Sequence, residues 1–431
     1  MVRTQGEGTM LTQEDNGLVT KVGPGTPVGA LMREYWVPAM LSSELPAADC
    51  DPVRVMLLGE RLIGFRDSSG KVGLIQNLCP HRGASLFFGR NEENGIRCVY
   101  HGWKFDTEGN CTDMPNEPAE SNFKNRIHAT TYPCIEAGGI VWSYMGPRQV
   151  PPPMPLHEAL DLPEGSYDVG AGMRNCNWLQ GLEGDLDTSH LYFLHFGSKK
   201  LEDTEPGTAD YYQVKTRAPR YMSVDTDFGS MYGAYRPAGP GENYWRMANF
   251  LFPFYAHIPG DRSILLRMWV PMDDGHTMFY ILDQTPTRRR PHDGTFVNDE
   301  PCTLMPNTTD WYGRFRLEAN EENDYLLDRD LQRNVTFTGI RGIFTQDHAV
   351  TESMGSTLDR TTEHVGTSDM MVIRIRRRLI EAAQALAEKE LAPPGVDDPE
   401  VYRTRPVSAM LPDGVDWLEA SAELRAPADR R

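Results

Sequence analysis

From Val53 onward the chain alternates in short apolar runs. Val53-Arg54-Val55-Met56-Leu57-Leu58 and Arg61-Leu62-Ile63-Gly64-Phe65 flank Gly59-Glu60, and Ser68-Ser69-Gly70 precedes Val72-Gly73-Leu74-Ile75. β-rich runs parted by Gly and Ser turns predict a meander of antiparallel strands. The pattern lasts to Gly139-Ile140-Val141-Trp142-Ser143-Tyr144. Pro147 and Pro151-Pro152-Pro153 cannot continue a ladder, so they mark a boundary near residue 150. Residues 1–45 read as a lead-in of short helices with Tyr35 and Trp36 as anchors. A small all-β domain is therefore expected over 46–150.

The second half mixes periods, and the chain as a whole reads as α+β. Trp178 to Phe196 is free of Pro and reads as helix, interrupted by its glycines. Between 210 and 285 the runs Tyr221–Asp227, Met247–Tyr255, Ser263–Val270 and Thr277–Leu282 alternate as strands of one sheet do. Residues 284–310, with Arg288-Arg289-Arg290-Pro291 and clusters of Asp, Asn and Pro, read as a surface loop. Val372, Ile375, Leu379, Ala383 and Leu386 recur at helical spacing behind a Thr367/Ser368 cap, which predicts a helix to about residue 391. A second domain over 151–395 and a Pro- and Asp-rich tail over 396–431 follow.

Charge narrows the partners. With 43 basic and 61 acidic side chains in 431 residues the formal charge is −18, which argues against nucleic acid and anionic membrane. No apolar run approaches the ~20 residues of a membrane span, and Met1 to Asp15 has no apolar stretch like a signal peptide's. A cytoplasmic protein is expected. There a disulfide framework is out of place, and those of the seven cysteines that carry chemistry should be metal ligands or nucleophiles.

Two segments carry the chemistry. Cys79-Pro80-His81-Arg82-Gly83 and Cys98-Val99-Tyr100-His101-Gly102-Trp103 give Cys-x-His, sixteen intervening residues, then Cys-x-x-His. Such a set suits tetrahedral zinc or a Rieske [2Fe–2S] centre, with two Cys on one iron and two His on the other. Zinc fingers usually pair Cys with Cys and set the histidines on a helix. Here each loop supplies one of each and is followed by Gly, which lets backbone amides approach bridging sulfides.

The second segment runs from Asn177 to His195 and holds Glu183, Asp185, Asp187, His190 and His195. Five residues turn a straight helix through about 140°, so a bend or a helix end must bring His190 and His195 together. A bare pair at that spacing is ordinarily incidental. After the Cys-His loops, and with three carboxylates just upstream, it reads as the imidazole part of a two-His-one-carboxylate iron site. Asp347 and Glu352 are the candidates for the carboxylate. His348 is adjacent to Asp347, but neighbouring residues point apart on a helix.

Both segments resemble the Rieske non-haem iron ring-hydroxylating oxygenases, on Cys79-Pro80-His81-Arg82-Gly83, Cys98-x-x-His101-Gly102-Trp103-x-Phe105 and Asp187-x-x-His190-x4-His195. Leu18-Val19-Thr20 to Pro27, Leu182-Glu183-Gly184-Asp185, Thr338-Gly339-Ile340 and Gln346-Asp347 are similar to the phthalate 4,5-dioxygenase group. The resemblance implies a Rieske domain beside a helix-grip catalytic domain with a central antiparallel sheet. It implies cluster ligands Cys79, His81, Cys98 and His101, iron ligands His190, His195 and Asp347, and Asp187 as the link to a neighbouring subunit's cluster. It further implies homotrimers or stacked trimers and an NADH-dependent flavin and iron–sulfur reductase, or a ferredoxin, as electron donor. O2 would be used to dihydroxylate, hydroxylate or O-demethylate an aromatic substrate, expected to be a phthalate-like or benzoate-like acid. A stand-alone Rieske electron carrier, or an oxygenase for a non-aromatic substrate, is the competing reading.

An aromatic carboxylate calls for a local cation, and Arg offers a two-pronged donor. Arg246 and Arg236 are the first choices, with Arg217 and Arg220 behind them. Met222, Leu191 and Phe252 are candidate apolar walls. Cys50, Cys111, Cys134 and Cys302 are expected to be ordinary buried thiols.

Overall fold

The computed structural model describes residues 10–118, 120–260, 264–284 and 301–427. Helices Gln13–Thr20 and Pro27–Arg33 open it, each capped by a threonine hydroxyl (Thr12, Thr26) that accepts a backbone N–H. The lead-in then turns to strand: Trp36–Leu41 is fully buried and pairs antiparallel with Ile140–Tyr144. Val53–Leu57, Glu60–Arg66 and Val72–Gln76 form the expected meander, with Thr131–Tyr132 beside the last. A second four-stranded sheet, Arg90–Asn91, Ile96–Arg97, Lys104–Phe105 and Cys111–Asp113, carries the second Cys-His loop.

The C-terminal portion is organised by one eight-stranded antiparallel sheet. Its order is Tyr167–Arg174, Thr277–Gln284, Leu265–Pro271, Tyr255–His257, Glu242–Leu251, Gly229–Gly239 and Arg220–Thr226. The eighth strand, Val407–Pro412, pairs with Glu242–Leu251 and continues the sheet beyond short Tyr255–His257. The stretch expected as a tail is therefore built into the catalytic sheet. Its proline and aspartate content hid a strand that only the long-range pairing defines. The run expected as one strand from Met247 to Tyr255 is two, parted at Phe252-Pro253, where proline has no N–H for the ladder.

Helices Trp178–Leu186, Ile343–Ser353 and Met370–Lys389 flank this sheet. Asn177 caps the first through Leu179 N–H and ties it down by donating to Thr20 and Asp274 carbonyls at 2.9 and 2.7 Å. Gly181 and Gly184 do not break that helix. Gly181 is where the Trp269 ring packs, and a Cβ there would lie 2.2 Å from it. The break comes at Asp187, whose backbone is extended, ahead of a short 3-10 turn His190–Tyr192. The long helix starts at Met370, after a 3-10 turn Thr367–Asp369, and buries Val372, Ile375, Leu379 and Ala383 as its spacing predicts.

One large core runs through both halves, and a smaller one lies under the Cys-His loops with Phe65, Leu86, Trp103 and Phe105. Backbone N–H groups of Leu58 and Gly59 donate to Pro271 and Met272 carbonyls, joining the β meander to the catalytic sheet. Most of the expected 284–310 loop (285–300) lies outside the described residues, as does Ser263. Among the thiols, Cys111 is buried and Cys50 and Cys134 are half-buried. Cys302 is exposed rather than buried, because the segment holding it packs no apolar face inward.

Candidate functional site: two metal centres

The two Cys-His loops are built alike. Cys79 N–H donates to Ala84 O at 2.8 Å and Gly83 N–H returns to Cys79 O at 2.9 Å. Cys98 N–H donates to Trp103 O and Gly102 N–H to Cys98 O at the same distances. Gly83 and Gly102 hold φ of 73° and 79°, the left-handed conformation that closes each turn without strain only for glycine. Both thiols are buried, while the imidazoles lie outward with ring centroids 4.3 Å apart. His81 Nδ1 is buried without a hydrogen-bond partner, a deficit that a bond to iron would remove. Burial, with Cys98 adding to it, pushes the Cys79 thiol up to about 11, so a thiolate there needs a metal's positive charge. Trp103 stacks on His81 at 4.3 Å and 11°, and its indole N–H donates to Asn116 at 2.7 Å.

The second centre forms where the chain leaves the Trp178–Leu186 helix. His190 Nε2 lies 3.2 Å from His195 Nε2 and 3.6 Å from Asp347 Oδ1, and His195 Nε2 lies 3.2 Å from the same oxygen. The break at Asp187 and the 3-10 turn supply the bend that a straight helix lacks. His190 Nδ1 hydrogen-bonds the Asp187 carbonyl, which can only accept, so Nδ1 carries the proton and Nε2 turns to the cluster. His195 Nδ1 is 2.7 Å from Gln346 Oε1. Burial works to raise the Asp347 carboxyl, but His195, His190 and Arg174 outweigh it and hold it at about 2. The donor atoms of these three all lie within 4.8 Å of one another, and the set fits ferrous iron.

Glu352 is spent elsewhere: its oxygens accept Asn175 N–H and Tyr325 O–H, both at 2.7 Å. His348 turns to the other side of its helix and donates to Met173 O at 2.9 Å. Asp185 is bound by Arg267 and by the Trp269 indole. Asp187 is half-buried, accepts Ser189 N–H at 2.7 Å and has its carboxylate 3.9 Å from His190 Nδ1. Burial raises its pKa against the pull of His190.

Both halves match known proteins. A family described as "Rieske [2Fe-2S] domain" matches residues 35–133, and one described as "LigXa C-terminal domain like" matches 143–429. The 3-chlorobenzoate-3,4-dioxygenase oxygenase subunit of Comamonas testosteroni is 46% identical over 424 residues, covering 95% of this chain and 98% of its own. The chain belongs to the Rieske non-haem iron oxygenases, as an α subunit. This oxygenase is also 35% identical to the phthalate 4,5-dioxygenase oxygenase subunit of Pseudomonas putida, over 96% of this chain and 95% of that one. The solved structure of dicamba monooxygenase bound to dicamba shares its fold at a TM-score of 0.56 and 16% identity, over 84% of this chain and all of that one. As a member the oxygenase works with a Rieske cluster, a mononuclear iron and O2, on electrons that a separate reductase or ferredoxin component delivers from NADH. Among its described residues no helix is long and apolar enough to cross a membrane.

Two cavities flank the oxygenase's His190, His195 and Asp347. A groove of about 240 Å³ runs past Asp187, His190, Asp347, Val350 and Met354. A pocket of about 60 Å³ is walled by His190, His195, Asp347, Tyr232, Leu191 and Arg246. Arg246 thus reaches the chemistry, and its Nε is buried with no hydrogen-bond partner. Arg236 shares its sheet face, since Ala234 pairs with Arg246 and Arg236 follows two residues on. Its buried guanidinium nevertheless packs over the Tyr192 ring at 4.7 Å and donates to that hydroxyl, away from the pocket wall.

The remaining candidates fall away for physical reasons. Arg217 caps carbonyls of Tyr192 and Lys199, and Arg220 is exposed on the far face of the sheet. Met222 also faces away and is exposed, so it is no pocket wall. Phe252 is wholly core. Sequence reasoning passed over Arg174, which is buried against Trp269 and Phe344 and donates to Thr351 at 2.8 Å and to the Asp347 carbonyl at 3.3 Å. Nor did it single out Gln346, whose only signal was adjacency to Asp347.

Proposed function

We propose that this oxygenase dihydroxylates the ring of an aromatic monocarboxylate whose carboxylate is held by Arg246. The observation that carries the reading is a cation without an ion-pair partner, among the described residues, in the wall of the pocket that holds His190, His195 and Asp347. The other arginine in that wall, Arg267, is neutralised by Asp185 at 2.7 Å. In a chain of charge −18 the attraction must be local, and Arg246 supplies it. Leu191, Tyr232, Ile258 and Ile343 give the ring an apolar and aromatic bed. Relatives named for 3-chlorobenzoate and phthalate dioxygenation act on aromatic acids, the first of them a monocarboxylate.

In this reading Cys79, His81, Cys98 and His101 hold the cluster, and His190, His195 and Asp347 hold the iron. When bound, the iron supplies open positions for O2 chemistry, and the cluster supplies single electrons. The chain's own residues orient and insulate. Arg246 fixes the substrate's rotation, the Asp187 carbonyl and Gln346 fix the two imidazole tautomers, and the apolar walls exclude water. Asp187 offers its carboxylate to a cluster histidine of a neighbouring copy in a homotrimer or stacked trimers. Two surfaces support that arrangement. Leu78, Val99 and Tyr100 are exposed around the cluster imidazoles, and the groove past Asp187 carries Val350 and Met354, also exposed. The electron donor is an NADH-dependent flavin and iron–sulfur reductase, and the setting is the cytoplasm.

Replacing Arg246 with Gln tests the carboxylate site. Loss of one charge-assisted, two-pronged contact worth about 1.5–3 kcal/mol should raise KM for aromatic acids by roughly 10–100-fold. Turnover of neutral aromatic analogues should be unchanged. Steady-state assays scoring product decide it, and an unaltered KM for the acid would place the carboxylate elsewhere.

A further inference from the structure

We infer that Gln346 is a positioning residue for the mononuclear iron, setting the tautomer and ring orientation of His195 through a neutral amide. The inference rests on His190, His195 and Asp347 being the iron ligands. His195 lies beyond the 3-10 turn His190–Tyr192, outside any helix that would hold its ring, and its partners must do so. Its Nδ1 is 2.7 Å from Gln346 Oε1. Which end of the amide faces the ring follows from the other end: Gln346 Nε2 is 2.8 Å from the Ile340 carbonyl, which can only accept. The amide oxygen therefore faces His195, Nδ1 carries the proton, and Nε2 presents its lone pair beside Asp347 Oδ1 and His190 Nε2.

The pair is well insulated, with Gln346 at 1% and His195 at 7% exposure, so water does not compete for the hydrogen bond. Gln346 and Asp347 are consecutive on helix Ile343–Ser353. One helix turn thus delivers one ligand directly and orients another. Partners of this kind set ligand orientation and basicity, and losing one typically costs about 10–100-fold in metal affinity. A carboxylate in this place would draw the Nδ1 proton and make the imidazole a stronger donor. The amide leaves it neutral, so Asp347 is the one anionic ligand.

The test uses the full-length protein with its Rieske cluster in place. Fe(II) is titrated anaerobically against a competing chelator, and the visible absorption of the Co(II)-loaded protein reports the ligand field. Gln346→Leu should weaken Fe(II) binding by roughly 10–100-fold and alter the Co(II) bands. Gln346→Glu, which keeps an oxygen at the same reach, should restore binding to wild-type strength or tighter. Rescue by Glu separates the hydrogen bond from a packing fault, and an unchanged cluster spectrum shows that each variant is folded. Binding by Gln346→Leu within about twofold of wild type, with unchanged Co(II) bands, overturns the inference. A wild-type protein that binds neither ion would instead overturn the assignment of the ligands.

Discussion

His190→Ala should abolish product formation while leaving the Rieske cluster at full occupancy and fully reducible. Its Nε2 is one of three donor atoms set 3.2–3.6 Å apart, and no other described His, Cys, Asp or Glu joins that group. Glu352, His348 and Asp185 are near but already engaged, so none can substitute. Turnover should fall at least about a thousandfold, the equivalent of about 4 kcal/mol or more in barrier. The cluster loops belong to a separate small core and do not depend on the substitution. Metal analysis should find the iron of the cluster alone, spin resonance on reduction should match wild type, and chromatography should find no product. Loss of the cluster together with activity would mean that the two sites are not independently built.

Asp187→Asn should keep both metals and still stop electrons from crossing. The substitution is isosteric, and an amide oxygen can still accept Ser189 N–H, so the local turn survives. What goes is the negative charge, held half-buried where burial already raises its pKa. A carboxylate accepting an imidazole N–H makes a charge-assisted bond roughly twice as strong as a neutral one. It also favours the protonated partner, which couples proton and electron movement. Removing such a link should slow oxidation of the reduced cluster by iron about 10–100-fold or more. Rapid mixing of reduced, substrate-loaded protein with O2 measures that rate from the cluster's colour. An unchanged rate would remove Asp187 from the path.

The sites were legible where chemistry imposes local spacing. A cluster loop must present a Cys and a His from one tight turn, and glycines at 83 and 102 are the cost of that turn. His190 and His195 were legible as a pair, but the break that joins them was not. Nothing in Asp187-Thr188-Ser189 marks a helix end as strongly as the glycines that, in fact, lie inside the helix. Strand Gly229–Gly239 was hidden by glycines and a proline that argue against a ladder. Gly233 sits there because Trp245 packs across it, leaving a Cβ only 2.8 Å from the ring. Val407–Pro412 likewise exists by virtue of a partner more than 150 positions earlier in the chain. Arg246 and Arg236 were both candidates in sequence, and packing separates a guanidinium at the pocket wall from one held over the Tyr192 ring with its Nε and Nη1 buried without a partner.

The oxygenase assignment stands or falls on product. Purified protein, supplied with a reductase, NADH and isotopically labelled O2, is incubated with a panel of aromatic monocarboxylates, and the acids are then analysed by mass spectrometry. At least one should gain two labelled oxygen atoms as a ring diol, in amounts that track substrate lost and vanish in Asp347→Ala. A cluster that cycles through reduction and reoxidation while every acid on the panel returns unlabelled would contradict it.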